Sequence, residues 1–355
     1  MSHKTQCKNT AIFAYNEINL YFFRYLFVFV HNLDYLCRKN QDIKEMEYTI
    51  NVGGKLIDFC SPKVMGILNV TPDSSYSGSR KQTEKEIADR CNQIVAEGGD
   101  IIDVGAFSTR PGAPEVSEAE EMERLRNGLS ILRREQPDAI VSVDTFRPDV
   151  ARRAVEEYGV AIVNDVSEGG ITGIANKPLD WKQGEYPEIF KMVAHLRVPY
   201  VLMSVKPNIE QMLMAFAHEV QMLRDLGVRD IILDPGFCFG KTLEENYILM
   251  NEIQKLKVLK LPLLVGISRK SMIYKLLGGD PTTSLNGTSV LNTVSLLKGA
   301  DILRVHDVKE AVETVKIVGR VKGEELRVKN CCANREKSQA CLSYSEVQPA
   351  IDEVN

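Results

Sequence analysis

Short apolar runs alternate with longer amphipathic stretches between residues 64 and 321, and this pairing repeats along the chain. The apolar runs are residues 64–70, 101–104, 140–143, 161–163, 200–203, 231–233, 263–265 and 302–305. Because they are continuous and do not alternate with polar residues, they are typical of parallel strands covered on both faces. Eight such strand-plus-helix units predict an α/β fold, in which the strands close into a TIM (β/α)8 barrel.

Helix signals lie where this pattern needs them. The predicted helices are residues 81–97, 117–134, 148–158, 186–196, 209–226, 243–256, 272–277, 289–297 and 308–321. Ser117 suits an N-cap with Glu120 three residues on, as in a capping box, and Pro148 suits a first helical turn. The alternative fold is an open doubly wound sheet. It lacks its usual nucleotide signature, since neither GxGxxG nor GxxxxGK(S/T) follows the first strand.

The first 45 residues differ from this repeat and predict an N-terminal extension outside the barrel. Their apolar stretch, residues 18–30, is interrupted by Arg24 and is shorter than the roughly 20 residues of a membrane-spanning helix. No small-residue cleavage site follows it, as a signal peptide would require. We therefore expect no membrane anchor, and we expect Met46 to be the natural start of translation.

The barrel domain is predicted over residues 46–323. It begins with a β-hairpin at residues 47–59, whose turn is Gly53-Gly54, a good pair for positive φ angles. Residues 324–355 are polar and have no periodicity, which predicts a disordered C-terminal tail.

Composition excludes several classes of function. The 355 residues are 44% hydrophobic and 26% charged, which is ordinary for a soluble globular protein. The formal net charge is −4 and no long basic block is present, so we expect no nucleic-acid partner. The eight cysteines include no CxxC pair and no zinc spacing, which favours reduced thiols in a cytoplasmic protein.

Polar side chains follow most of the predicted strands at the point where each run ends. They include Asn69, Asp103, Asp144, Asn164, Asp234, Ser268, Arg269, Lys270, Arg304 and His306. One aspartate in such a place is usually a helix cap or a turn former. Carboxylates or amides at five strand ends, with cations at two, are costly to bury together unless a ligand satisfies them. This edge of a barrel is also where active sites form, so the pattern predicts a ligand site.

The last strand predicts a positive corner in this site. Arg304 and His306 are two residues apart and share a face, and Lys270 ends the neighbouring strand. Such a corner fits a phosphate or diphosphate, which arginine can grip with two bonds. The acceptors expected across the mouth are Asp144, Asn164 and Asp234. They suit the N–H donors of a flat heterocycle, so we expect a heteroaromatic group on one side and a polyphosphate on the other.

Seven motifs in order along the chain resemble those of the dihydropteroate synthase family. They are MGILNVTPDS (65–74), STRPGA (108–113), SVDT (142–145), NDV (164–166), LDPGFCFGK (233–241), VGISRKS (265–271) and RVHDV (304–308). The resemblance implies a pterin-binding TIM barrel that condenses (7,8-dihydropterin-6-yl)methyl diphosphate with 4-aminobenzoate in folate biosynthesis. It also implies Mg²⁺ as cofactor, a homodimer, and inhibition by sulfonamides, which mimic aminobenzoate.

The resemblance also implies a role for individual residues. The pterin-binding set would be Asp144, Asn164, Asp234 and Lys270, and Asn69 would be the magnesium ligand. Thr109, Arg304 and His306 would contact the diphosphate, with Val305 also counted as substrate-binding and Arg110 in the second loop. Ser268, Arg269 and the stem of Lys270 would line the aminobenzoate path. Diphosphate would leave first and the arylamine would then attack, with no covalent nucleophile on the protein.

Three departures from the family pattern concern loops. Ser75-Tyr76-Ser77 stands where the family often has Phe-Ser-Asp, Ala106-Phe107 where it has Gly-Glu, and Met203-Ser204 where a His-Met pair is common. The missing phenylalanine removes an apolar wall beside the aminobenzoate. We therefore expect altered sulfonamide sensitivity, which an inhibition constant measures.

Two alternative functions remain on the same barrel. A pterin-dependent methyltransferase would share the pterin-facing aspartate and asparagine, but generally lacks the Ser-Arg-Lys and Arg-Val-His residues of the positive corner. A non-catalytic barrel would bind pterin without turnover. Diphosphate release separates the three, because only the synthase releases diphosphate in a reaction that needs aminobenzoate.

Overall fold

The computed structural model describes residues 48–70, 84–106, 116–171, 182 and 184–323. All of these residues belong to one compact unit. The extension expected at residues 1–45 and the tail expected at 324–355 lie outside the described residues, as do residues 71–83 and 107–115.

A two-stranded antiparallel hairpin precedes the barrel, as the glycine pair predicted. It consists of β1 (Thr49–Val52) and β2 (Lys55–Asp58). The eight barrel strands are β3 (Lys63–Asn69), β4 (Ile101–Gly105), β5 (Ile140–Asp144), β6 (Ile162–Asp165), β7 (Tyr200–Met203), β8 (Ile231–Asp234), β9 (Leu264–Val265) and β10 (Ile302–Val305). The helices of the described ranges are α1 (Glu84–Ala96), α2 (Glu118–Glu135), α3 (Pro148–Tyr158), α4 (Glu188–Leu196), α5 (Ile209–Asp225), α6 (Leu243–Glu252), α7 (Ser271–Leu277), α8 (Leu285–Leu297) and α9 (Val308–Lys322).

The eight strands form one parallel sheet that closes on itself. Their order is β8-β7-β6-β5-β4-β3-β10-β9, so β3 pairs with both β4 and β10. A parallel bridge between Leu233 and Leu263 joins the two outer strands, and the Leu233 N–H donates to the Pro262 carbonyl at 2.9 Å. The predicted TIM barrel is therefore confirmed.

An apolar layer fills the end of the barrel where the strands begin. Its members are Met65, Ile101, Ile162, Val201, Ile232, Leu264 and Ile302, one from each of seven strands. Three hairpin residues, Ile50, Val52 and Ile57, pack onto the same layer. Each fully buried aliphatic side chain stabilises the fold by roughly 1.5–3 kcal/mol. This floor leaves the carboxyl ends of the strands as the end where polar side chains collect.

The observed elements differ from the sequence expectations in several places. Several strands run one or two residues beyond their apolar runs, to Asp144, Asp165 and Asp234, because backbone pairing does not depend on side-chain polarity. The Ser117 hydroxyl accepts from the Glu120 N–H at 3.2 Å, which confirms the cap. The Glu120 carboxylate, however, does not complete a capping box and pairs with a guanidinium within its own helix.

The predicted helix at 243–256 is in fact two elements. The α-helix ends at Glu252 and a 3₁₀ segment, Ile253–Leu259, continues to Lys260, which has a left-handed φ of 54°. Within the described ranges, none of the helices has the length and apolarity needed to cross a membrane.

Candidate active site

Four residues lie side by side where strands β3 to β6 end. In the sheet register Asn69 faces Gly105, Gly105 faces Asp144, and Asp144 faces Asn164. Gly105 matters because it has no side chain: a Cβ there would stand 3.6 Å from both the Asn69 Oδ1 and the Asp144 Cβ. Asn69 and Asp144 thus flank an opening in the rim, with Asn69 exposed and Asn164 only 2% exposed.

Arg304 lies inside the barrel between two carboxylates. Its Nε donates to the Asp103 Oδ2 at 2.6 Å, and its Nη2 donates to the Asp144 Oδ2 at 2.6 Å. The same Asp103 oxygen accepts from the Asn164 Nδ2 at 3.1 Å. The expectation that Arg304 stands across the mouth from the acceptors is therefore wrong, since its guanidinium touches one of them directly.

Burial and charge shift the pKa values of this group in the directions that the contacts imply. Burial alone would lower the pKa of Arg304, but the charges of Asp103 and Asp144 raise it above its usual value, so the guanidinium stays ionised. Burial raises the pKa of Asp144 and the Asp103 charge adds to this, while Arg304 opposes it. Asp144 is therefore a carboxylate paired with the Arg304 guanidinium at a buried position, where an unpaired negative charge is disfavoured.

Asp234 and Lys270 form a second pair of opposite charges beside Arg304. The Asp234 Oδ1 accepts from the Gly236 N–H at 2.8 Å, and the side chain is 7% exposed. The Lys270 Nζ donates to the Phe237 carbonyl at 2.9 Å and lies 4.7 Å from the centre of the Phe239 ring. Burial lowers the pKa of Lys270, and the nearby Asp234 carboxylate partly offsets that shift.

Arg304 and the Asp234–Lys270 pair converge at Gly266, which directly follows β9, the seventh strand of the barrel. A Cβ on Gly266 would stand 3.7 Å from the Arg304 Cβ and 3.9 Å from the Lys270 Nζ. Asp234, Lys270 and Arg304 therefore share one mouth, as the strand-end pattern predicted. Gly266 leaves open the space that these side chains border.

His306 is a neutral donor or acceptor in this structure and not a cation. Burial, with Arg304 nearby, lowers the pKa of His306 to about 4. Its Nδ1 lies 3.1 Å from the Ser268 hydroxyl, which also accepts from the His306 backbone N–H at 3.1 Å. The predicted positive corner is thus corrected to one lysine and one arginine with a neutral imidazole at its edge.

Val305 contributes no side chain to the mouth. It is fully buried and belongs to the core between the barrel and its helices. This corrects its assignment as a substrate-binding side chain and follows from the alternation that turns Arg304 and His306 inward.

Arg269 points to a neighbouring loop. Its Nε and Nη2 donate to the two Asp307 carboxylate oxygens at 2.8 Å each, and its Nη1 donates to the carbonyls of Pro281 and Thr282. Its backbone has a left-handed φ of 55°, with the N–H bonded to the Thr288 hydroxyl. Because Arg269 precedes Lys270 and Asp307 follows His306, this pair fixes two loops that each carry a residue of the mouth. Its role in lining an aminobenzoate path stays a prediction.

Exchanging Arg269 for lysine, or Asp307 for asparagine, should lower kcat/KM by a similar factor of about five. Each change breaks the two-bond contact, which is worth about 1 kcal/mol at a partly exposed site. The double variant should be no worse than either single one, because both remove the same contact. Steady-state kinetics with both substrates measures this. Arg152→Lys, in a more exposed pair with Asp149, is the control and should change nothing. If Arg269→Lys alone had an effect, and that effect were confined to the KM for aminobenzoate, the proposal that the Arg269–Asp307 pair fixes the two loops would be contradicted.

Three residues that support the site were missed by sequence reasoning. Asp103 was noted as a strand end but not assigned, although its alternation with Ile101 points it inward. Lys241 holds the carbonyls of Ser204, Gly236 and Phe239 at 2.9–3.2 Å, which ties together the loops after β7 and β8. Arg90 of α1 donates to the His306 carbonyl at 2.5 Å. Nothing in its local sequence indicates this, because the contact joins residues 216 positions apart.

Several predicted residues lie outside the described ranges. They are Thr109 and Arg110 of the second loop, the first-loop segment Ser75-Tyr76-Ser77, and Phe107. Their assigned roles stay predictions.

Comparison with known proteins places this geometry in a family. The pterin binding enzyme family matches residues 65–306. The dihydropteroate synthase of Escherichia coli K12 is 35% identical over 280 residues, covering 75% of this chain and 93% of that protein. The dihydropteroate synthase of a Synechocystis species is 38% identical over 270 residues, covering 72% and 88%.

Solved structures of similar proteins have the same fold. The Yersinia pestis dihydropteroate synthase, crystallised as a sulfonamide drug complex, is 32% identical, with a TM-score of 0.68 over 78% of this chain and 100% of that one. The Xanthomonas albilineans dihydropteroate synthase with 4-aminobenzoic acid is 30% identical, with a TM-score of 0.68 over 78% and 99%. With acceptors and two buried cations converging at the carboxyl ends of its barrel strands, the chain belongs to the pterin binding enzyme family and, within it, to the dihydropteroate synthases.

Proposed function

We propose that the mouth of this barrel joins (7,8-dihydropterin-6-yl)methyl diphosphate to 4-aminobenzoate, forming 7,8-dihydropteroate and diphosphate. The observation that carries the proposal is the convergence of Asp144, Asn164 and Asp234 with Lys270 and Arg304 at one end of the barrel. Buried carboxylates and an amide match the N–H groups of an amino-pyrimidinone edge, and an ammonium suits a ring carbonyl or nitrogen. The polar contacts fix the orientation of the pterin inside an otherwise apolar barrel.

In this reaction the protein positions the two substrates and stabilises the charge that develops on the pterin. It does not need to supply a nucleophile. The C–O bond at the pterin methylene breaks and its electron pair leaves with the diphosphate. The amine of aminobenzoate then supplies the pair for the new C–N bond and loses one proton. The carboxylates of Asp144 and Asp234 stabilise the positive charge left on the pterin, and fixed groups of this kind act strongly where water is excluded.

The diphosphate is held at the rim. His306 and Ser268 offer hydrogen-bond groups there. Thr109 and Arg110 are proposed to complete this side from the second loop, by their match to the family motif.

Asn69 could hold a magnesium ion that would assist departure of the diphosphate. It is exposed on the rim next to the opening above Gly105 and offers a neutral oxygen, a hard ligand of the kind Mg²⁺ prefers. Among the residues the structure describes, no cluster of three His, Cys, Asp or Glu side chains could hold a metal unaided. Mg²⁺ usually keeps few protein ligands and binds phosphate oxygens, and it would neutralise charge on the leaving diphosphate.

Diphosphate release by the full chain tests the proposal. Release should require both aminobenzoate and Mg²⁺, should stop with EDTA and recover with added Mg²⁺, and should be inhibited competitively by a sulfonamide. Release of diphosphate at the same rate with and without aminobenzoate would contradict the condensation. Binding of the pterin substrate without turnover would favour the non-catalytic barrel.

The chain is further proposed to form a cytoplasmic homodimer. Apolar side chains more than half exposed lie on four helices that pack successively, α6 to α9. They are Ile248, Leu276, Leu277, Val290, Leu297, Ile317 and Val321. Exposed apolar surface of this kind favours a protein partner, and a second copy would cover it symmetrically. Cys91 and Cys238 are reduced thiols, which favours a reducing compartment. Light scattering of the full chain measures the assembly.

A further inference from the structure

Asp103 is a buried carboxylate at the centre of the site for which the proposed reaction has no use. It is fully buried in the middle of β4, and its Oδ2 accepts from Arg304 and Asn164. Its Oδ1 is also buried and has no hydrogen-bond partner among the described residues. A buried charge with an unsatisfied oxygen is costly, and its presence calls for a reason other than stability.

The charges on the Arg304 side of the pterin pocket do not balance. Three carboxylates, those of Asp103, Asp144 and Asp234, lie near three cations, Arg304, Lys270 and Lys241, but Asp103 and Asp144 share a single guanidinium. Arg304 is shared between two of the carboxylates, while Lys270 is the nearest opposing charge for Asp234. Burial raises the pKa of Asp144, the Arg304 charge opposes this shift, and the Asp103 charge adds to it.

We infer that Asp103 gives the Arg304 side of the pterin pocket an excess negative charge and thereby stabilises the positive charge that develops on the dihydropterin as diphosphate leaves. The inference rests on the proposed function and deepens it. The Asp103 Oδ2 is hydrogen-bonded to Arg304 and Asn164, and the charge of the carboxylate acts on the ligand through space. A fixed charge in a dry interior interacts over several ångströms far more strongly than it would in water.

Asp103 also orients Asn164. A carboxylate can only accept hydrogen bonds, so Asn164 must turn its NH₂ group towards Asp103. The Asn164 carbonyl oxygen is then the atom left for a ligand N–H. Asp103 is in this respect a positioning residue for the pterin set.

Asp103→Asn isolates the charge from the hydrogen bonds. The amide oxygen can take the place of Oδ2 and keep both observed bonds, while the NH₂ group replaces the oxygen that has no partner. We expect kcat to fall about 10- to 100-fold, with the KM values of both substrates changed by less than about threefold. The melting temperature should stay equal or rise, because one excess buried charge is removed.

The binding affinities of two matched ligands, one cationic and one neutral, distinguish an electrostatic role of Asp103 from a merely structural one. 6-Aminomethylpterin carries an ammonium at the carbon where positive charge develops, and 6-hydroxymethylpterin is its neutral counterpart. By calorimetry, Asp103→Asn should weaken binding of the aminomethyl compound about tenfold and that of the hydroxymethyl compound by less than about threefold.

Ser142→Ala is the matched control. Ser142 faces Asp103 in the register on β5 and has a buried hydroxyl without a partner among the described residues, but it has no charge. Its variant should keep wild-type kcat and ligand preference. The inference is overturned if Asp103→Asn keeps wild-type kcat, or if kcat, melting temperature and affinity for both ligands fall together. If the wild type releases no aminobenzoate-dependent diphosphate, the proposed function fails instead, and the ligand pair still reports on the charge of the pocket.

Discussion

Lys270→Met should lower kcat/KM for the pterin substrate by about 10²- to 10³-fold. The substitution keeps an apolar stem but removes the ammonium that bonds the Phe237 carbonyl and faces Asp234. Asp234 would then be buried without its main opposing charge, so its pKa, already raised by burial, would rise further. A protonated Asp234 is a poorer acceptor for the pterin N–H groups, and removing one such fixed group commonly costs this much. Diphosphate release at varied pterin concentration measures the effect.

Lys275→Met is the control for that experiment. Lys275 lies one turn further along α7 and is exposed, so the same change of residue occurs outside the mouth. Its kcat/KM should stay within about threefold of wild type. Equal losses in the two variants would mean that the helix, and not the buried ammonium, is responsible.

Arg304→Met should reduce the free energy of unfolding by about 3–5 kcal/mol at pH 7. Removing one partner of a buried ion pair leaves uncompensated charge, which costs far more than the pair itself contributes. Here two carboxylates, Asp103 and Asp144, lose their shared guanidinium. Urea denaturation measures the loss, and addition of Asp103→Asn should recover part of it, because one of the two charges is then gone.

The loss should be larger at pH 7 than at pH 5. Without Arg304, the pKa of Asp144 would lie still further above its unfolded value, so the native state would bind more protons than the unfolded state. Stability then falls as pH rises through that interval, and acid restores it. Arg153→Met, which breaks only a surface pair with Glu157, should cost less than about 1 kcal/mol. A comparable loss in both arginine variants would contradict the buried-pair account.

The family motifs and the strand pattern indicated the same candidate site residues. The structure shows which of these side chains lie together at the mouth of the barrel and which do not. Motif matching indicated Asp144, Asn164, Asp234 and Lys270, and these do converge on one mouth. It could not indicate that Arg269 turns away to Asp307, because a side chain's direction depends on the loop conformation around it. It also assigned Val305 to the binding residues, together with Arg304 and His306 on either side, although the Val305 side chain belongs to the core.

The sequence by itself determined the number of strands, their parallel order and the end of the barrel at which polar residues gather. It could do so because continuous apolar runs and helical periodicity are local properties of the chain. Only the tertiary structure decided that Arg304 is shared by Asp103 and Asp144, that His306 is neutral, and that Arg90 supports it. Those outcomes depend on distance and burial between residues as far as 216 positions apart, which no local pattern records.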